Sequence, residues 1–175
     1  MSRSTSSPDR QIFMVGRGGQ GILLLARALA EWAGRMGCDV ITSETHGMAM
    51  RGGTVTASLK VGAYAGPLIP AGSADVLIGL DAEEAMTHLF MLRAGGVSIV
   101  NARDKGPFSH AVDAAQAALS LGAPGAVNMI MLGFAARLLG IDRAVVEDIV
   151  EKISPPGALA ANRKALGAGY SIQET

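Results

Sequence analysis

The sequence predicts a single α/β domain, a mostly parallel sheet flanked by helices. Three observations predict it. Short apolar runs alternate with longer helix-forming stretches, the order that gives a parallel sheet covered on both faces. The length, 175 residues, suits one domain, with neither a linker between two cores nor an internal repeat. The first apolar run ends in a glycine-rich turn that opens a long helix, a Rossmann-like beginning.

The elements follow in order. Residues 1–10 are Ser-rich with Pro8 and lack an apolar segment, so they read as a disordered tail before a domain over 11–175. Gln11–Gly16 reads as a strand. Gly19–Arg35 reads as a buried helix, apolar on nearly every face. Asp39–Ser43 is a second strand, and Glu44–Gly53 a loop rich in Gly, Met and polar groups. Thr54–Val61 alternates apolar and polar residues, which predicts a strand with one wetter face. Gly62–Gly72, with Pro67 and Pro70, is a loop. Ala74–Leu80 is a strand of buried type, followed by Asp81 and a helix over Ala82–Leu92. Val97–Val100 and His110–Val112 read as strands. Helices are expected at Ala114–Leu121, Val127–Leu139, Arg143–Lys152 and Leu159–Leu166, with Pro155–Gly157 as a break.

Composition excludes several functions. Lys plus Arg is 15 and Asp plus Glu is 15. A net charge of zero argues against nucleic-acid binding, which needs a positive excess, and gives no pull toward anionic membranes. The longest apolar run, Ile22–Ala26, is followed by Arg27 and Glu31 and is too short to span a bilayer. A soluble, cytoplasmic protein is expected. The one cysteine, Cys38, excludes an internal disulfide and any iron–sulfur cluster held by this chain alone, and reads as a small hydrophobe. Charged residues make up 17%, against about 25% in an average domain. Such a chain is either a compact domain or one whose surface meets a partner.

Gly16-Arg17-Gly18-Gly19-Gln20-Gly21 satisfies the spacing G-x-G-x-x-G between strand and helix. Glycine permits positive φ and close backbone approach, and a helix start offers unpaired N–H groups to an anion such as a pyrophosphate. The same glycines also suit a plain tight turn. The acidic residue expected after the second strand is at best Glu44, slightly late in spacing. A stand-alone module for NAD(P) or a flavin nucleotide is therefore one reading of this loop.

Ser43–Gly53 follows the second strand, where open α/β sheets place their sites. It gathers Glu44, His46 and Arg51. Arg51 suits a phosphate or carboxylate clamp, or a brace paired to Glu44. His46 suits hydrogen bonding or proton exchange, and Gly52-Gly53 permits close approach. No nucleophile elbow surrounds Ser43. With His88, read as a helix-surface residue, and His110 elsewhere, no metal site is expected.

Together these two loops carry a resemblance. Gly16-x-Gly18-Gly19-Gln20-Gly21 and Ser43-Glu44-x-His46-Gly47-Met48-x-x-Arg51-Gly52-Gly53 resemble the gamma domain of the 2-oxoacid:ferredoxin oxidoreductases. His46-Gly47-Met48 resembles the small-subunit branch that acts on indolepyruvate. The likeness continues through Pro67–Pro70, Ala74–Leu77, Gly95–Asn101, Asn128–Gly133 and Asn162–Tyr170, about residues 11–170 in all. Residues 102–112 look shortened, and Met50 stands where Gln is common.

The resemblance implies a subunit, inactive alone, of an enzyme for oxidative decarboxylation of an aryl-pyruvate such as indolepyruvate. It implies thiamine diphosphate with magnesium and iron–sulfur clusters on a larger partner subunit, coenzyme A as co-substrate and ferredoxin as acceptor. Gly16, Gly18, Gly19, Gln20, Gly21, Glu44, Arg51, Gly52 and Gly53 are the implied cofactor-facing residues. His46 and Arg51 are candidate polar contacts at a shared site. Low charge and a bare glycine loop suit a site that another chain completes.

Overall fold

A computed structural model describes residues 9–46 and 52–175. One six-stranded sheet, in the order β2-β3-β1-β4-β5-β6, forms the centre. The strands are β1 (Arg10–Arg17), β2 (Val40–His46), β3 (Thr54–Val61), β4 (Ala74–Gly79), β5 (Leu92–Asn101) and β6 (His110–Val112). The helices are α1 (Ile22–Arg35), α2 (Ala82–His88), α3 (Ala114–Ser120), α4 (Val127–Leu138), α5 (Arg143–Ile153) and α6 (Leu159–Ser171). Among the described residues no helix is long and apolar enough to cross a membrane.

The mostly parallel sheet is present, with one reversed strand. β1, β4, β5 and β6 pair in parallel, but β3 runs antiparallel to both β1 and β2. The alternation of strands and helices does not say which strand departs from the parallel set; it is β3, because the connection from β2 to β3 is short. A short connection can form a hairpin, whereas a parallel neighbour requires a crossover. Glu44, Thr45 and His46, expected in the loop, continue β2, their backbones paired with Ala57, Thr56 and Val55 of β3.

Other boundaries also move. β1 begins at Arg10, inside the expected tail, while residues 1–8 of that tail lie outside the described residues. β5 starts five residues earlier than expected. Gly95 (φ 74°) and Gly96 lie within the strand where its register against β4 shifts. The predicted helix over 82–92 ends at His88, followed by a 3₁₀ turn over Leu89–Met91, and α6 runs five residues beyond Leu166.

Alternation along β1 supplies two cores. Ile12 and Met14 face α1 and α4, while Phe13 and Val15 face α2. α1 buries Ile22, Leu25, Ala26, Leu29 and Ala33, one helical stripe. Its Arg27, Glu31 and Arg35 lie outside it, so α1 is amphipathic rather than buried all round. α4 is the most buried helix, with every residue from Asn128 to Ala136 buried and the side chains from Met129 to Ala136 apolar on all faces. α6 crosses it so closely that a Cβ on Gly133 would lie 2.3 Å from the Leu166 carbonyl oxygen.

The two faces are unequally covered. α1, α4, α5 and α6 share the larger core, and ion pairs decorate this layer: Arg35 with Glu31 and Asp148, Arg143 with Glu147, Lys152 with Asp148. The smaller core holds Phe13, Val15 and Leu77 beneath α2, Ile69 and Phe108.

Tyr170 on α6 donates a hydrogen bond to the Ile141 carbonyl at 3.1 Å. Burial, with Asp142 acting in the same direction, pushes its phenol up to about 12. The folded chain therefore holds this proton where an unfolded tyrosine, titrating near about 10, loses it. The stabilisation is complete below that unfolded value and is lost as pH rises toward 12. Denaturant unfolding at stepped alkaline pH should show this loss, and Tyr170→Phe should remove its share of the slope.

Candidate functional site

The carboxyl ends of β1, β2, β4, β5 and β6 share one rim with the amino end of β3, because β3 alone is reversed. Arg17 pairs with Thr54, and His46 with Val55. Both sequence motifs thus open onto the same edge. The Gly18 N–H donates to the Gly53 carbonyl at 2.8 Å, joining the first loop to the end of the second.

The first loop is built from within. The Arg17 N–H donates to Gln20 Oε1 at 2.7 Å, and the Gln20 N–H to the Arg17 carbonyl at 3.1 Å. A Cβ on Gly16 would lie 2.8 Å from that same Gln20 oxygen. Gly19 (φ 94°) and Gly21 (φ 83°) take left-handed conformations. Gly21 stands at the cap of α1, which has no side-chain cap, so its first-turn N–H groups keep their capacity to meet an anion.

Asn128, at the start of α4, packs on this loop. A Cβ on Gly21 would lie 2.3 Å from Asn128 Nδ2, and the Asn128 side chain is 7% exposed. Its Oδ1 accepts from the Met129 N–H at 3.0 Å. Sequence reasoning gave Asn128 no role. A polar residue opening an otherwise apolar helix was the available signal.

Arg17, the variable position within the glycine motif, was also passed over. Its guanidinium pairs with Asp81 at 3.1 Å and with Glu83, and lies 4.0 Å from Glu84. Asp81 foremost raises the Arg17 pKa. Asp81 Oδ1 caps α2, accepting from the Glu83 and Glu84 N–H groups at 3.1 Å each. Thr54 Oγ1 donates to Glu84 Oε2 at 3.0 Å, tying β3 into the cluster. Asp81 three residues before Glu84, directly after a strand, is a capping signal readable in the sequence. Asn101 closes the rim, donating to the Leu80 carbonyl and accepting from the Ala115 N–H.

Other expected residues separate from the loop. Glu44 is exposed on β2, level with Ala57 and Met14, in a groove beside Leu23, Leu24 and Arg27. Two strand spacings, roughly 10 Å, divide it from β1. His46 ends β2, and Gly52 (φ 93°) precedes Gly53 at the rim. Gly47–Arg51, including Arg51 and its possible brace to Glu44, lie outside the described residues. His88 is no plain surface residue. It is half-buried, stacked between Phe13 and Phe90, with Nδ1–H donating to the Glu84 carbonyl. Among the described residues no group of three or more His, Cys, Asp or Glu could hold a metal ion.

This geometry does not favour a stand-alone dinucleotide module. The crevice such a ligand uses lies beside the first βα turn, between strands that reverse order. Here the reversed β3 delivers Gly53 onto Gly18, and three carboxylates surround Arg17, the nearest cation among the described residues.

A family model described as pyruvate ferredoxin/flavodoxin oxidoreductase matches residues 11–172. Among curated proteins, the chain is similar to indolepyruvate oxidoreductase subunit IorB of Archaeoglobus fulgidus, 45% identical over 92 residues. That match spans 53% of this chain and 46%, about half, of that relative. The subunit of the same name from Thermococcus kodakarensis is 28% identical over 190 residues, covering 92% of this chain and 94% of its own. Among solved structures, pyruvate oxidoreductase subunit PORC of Thermotoga maritima has a TM-score of 0.78 at 28% identity, over 94% of this chain and 96% of that one. The fold also recurs, at 20% identity and TM-score 0.78, in 31% of the chain of a 2-oxoglutarate:ferredoxin oxidoreductase from Magnetococcus marinus. That structure holds 2-oxoglutarate, coenzyme A and succinyl-CoA.

Proposed function

This chain belongs to the pyruvate ferredoxin/flavodoxin oxidoreductase family, and from that premise we propose that it is the small subunit of an indolepyruvate:ferredoxin oxidoreductase. The observation that carries the reading is the near full-length similarity to an indolepyruvate oxidoreductase subunit, with both motif loops at one rim. The complete enzyme decarboxylates an aryl-pyruvate, transfers the acyl group to coenzyme A and passes the electrons to ferredoxin in the cytoplasm.

A larger partner subunit holds thiamine diphosphate, magnesium and the iron–sulfur clusters. Clusters take several thiolates and this chain has only Cys38, so they do not fit here. When bound on that subunit, thiamine diphosphate supplies the electron sink for decarboxylation. This chain contributes the rim. The turn of Gly16, Gly18, Gly19, Gln20 and Gly21 directs the uncapped start of α1 and its first-turn N–H groups toward an anionic group such as the coenzyme A phosphates. Gly52 and Gly53 allow close approach, and His46 and Arg51 supply polar contacts to the shared site.

The test is ferredoxin reduction by the co-expressed large subunit supplied with indolepyruvate and coenzyme A. Activity should fall to background without this chain and return when it is added back. Arg51→Ala should lower turnover at least tenfold in an intact complex. Full activity without the chain would overturn the assignment.

A further inference from the structure

The two faces of the sheet differ in what they show to solvent. On the face of α1, α4, α5 and α6, charged pairs clothe the helices. On the other face α2 lies over β1, β4 and β5, and the segment 62–73 covers β3. Ser58 donates to the Pro67 carbonyl at 3.3 Å, and the buried Lys60 stands 4.9 Å from the centre of the Tyr64 ring. No charged residue occurs from Val61 to Ala74, nor from Ala85 to Leu92.

Three large apolar side chains stand out of these two uncharged segments: Leu68 at 78% exposure, Phe90 at 61% and Met86 at 48%. They are held, not loose. Ile69, next to Leu68, is buried with Phe13, Leu89 and Met91. The Gly72 N–H donates to the Phe90 carbonyl at 2.9 Å, fastening the segment to the 3₁₀ turn. Phe90 stacks on His88, and His88 on Phe13 of the core. An apolar surface presented on a rigid base costs little ordering entropy when it is covered.

We infer that this patch, centred on Leu68, Met86 and Phe90, is the docking surface for the larger, thiamine-bearing subunit. The inference rests on the reading of the chain as a small subunit. Continuity names the occupant. α2 begins at the rim, where Asp81 and Glu83 hold Arg17, and Met86 lies on the same helix, with Phe90 on the turn that follows it. A subunit that reaches the rim to complete the site runs down α2 onto the patch. A centre without charge and with a stacked aromatic anchor, flanked by the polar rim, is how the core of a stable interface is built.

The experiment uses the full chain with the large subunit from the same organism. Leu68→Asp and Phe90→Asp should each weaken association at least tenfold in sedimentation or calorimetry. Both exposed positions should leave the circular dichroism and Tm of the free chain unchanged. Met36→Asp and Leu119→Asp, equally exposed but on the turn after α1 and on α3, should bind as wild type. Hydrogen exchange of the unmodified pair provides a second measurement, with amides of 66–73 and 86–91 slowed on binding. Wild-type affinity in Leu68→Asp and Phe90→Asp, with no slowing there, overturns the surface and leaves the subunit reading intact. A chain that dimerises through the patch and excludes the large subunit also overturns it. No association of the wild-type pair overturns both readings.

Discussion

Gly169→Ala is expected to lower the stability of the chain by about 2 kcal/mol, and Gly169→Leu to prevent folding. A Cβ on Gly169 would lie 2.1 Å from the Ile130 carbonyl oxygen and 2.9 Å from the Phe134 nitrogen, both backbone atoms of α4. Side chains could turn aside, but a helix backbone cannot, so α4 and α6 must separate. Overpacking of a core costs about 1–3 kcal/mol, and a clash with fixed backbone belongs at or above the top of that range. Alanine in a helix recovers about 1 kcal/mol over glycine, which sets the net figure. Gly34→Ala on α1 is the control. Nothing lies within 4 Å of its Cβ position, so the propensity gain, about 0.5 kcal/mol near a helix end, stands alone. Urea midpoints at constant m would measure both. A Gly169→Ala chain as stable as wild type would refute the close crossing. The consequence reaches the rim, because Asn128 lies in the first turn of α4 and packs on Gly21. Helices forced apart at Gly169 shift the support of the glycine loop.

That dependence was not legible in the sequence, and the reason is physical. Hydrophobic periodicity reports which residues are buried, and it placed β3 and α4 nearly to the residue. It does not report which elements pair. The antiparallel β3 changes the site more than any boundary error, because its reversal brings Gly53 onto Gly18. The glycine motif was legible as a turn, but its spacing does not distinguish a ligand cradle from internal packing. Gly16 and Gly21 are set by Gln20 and Asn128, both within the chain. Glu44 was misplaced because polar residues on an edge strand resemble loop composition. The low charge reads in the sequence as a compact domain or as a surface that meets a partner, and where the charges lie needed the fold: ion pairs over α1 and α5, with Leu68 and Phe90 on the opposite face.

Asp81→Ala is expected to cost about 2 kcal/mol, because one carboxylate serves two structures. Oδ1 caps α2 through the Glu83 and Glu84 N–H groups, and loss of such a cap costs about 0.5–2 kcal/mol. Oδ2 forms an ion pair with the Arg17 Nε at 3.1 Å, and that nitrogen is closed to solvent with no hydrogen-bond partner among the described residues. Removing the carboxylate takes away the ion-pair partner of a guanidinium that is largely open to solvent, so this second effect is small. Arg17 also retains Glu83 and Glu84, so the cap, which accepts from two N–H groups, sets the total. Asp81→Asn separates the two roles, since asparagine caps as well as aspartate but brings no charge. It should recover most of the loss if the cap dominates and little if Arg17 dominates. Glu83→Gln, at a side chain 85% exposed, should stay within about 0.5 kcal/mol of wild type. In the assembled enzyme the same variants separate stability from docking. α2 carries Met86 and leads into Phe90, so a frayed α2 start should loosen the partner in Asp81→Ala and leave it bound in Glu83→Gln. Equal loosening in both would mean that the partner reads the rim charge and not the helix.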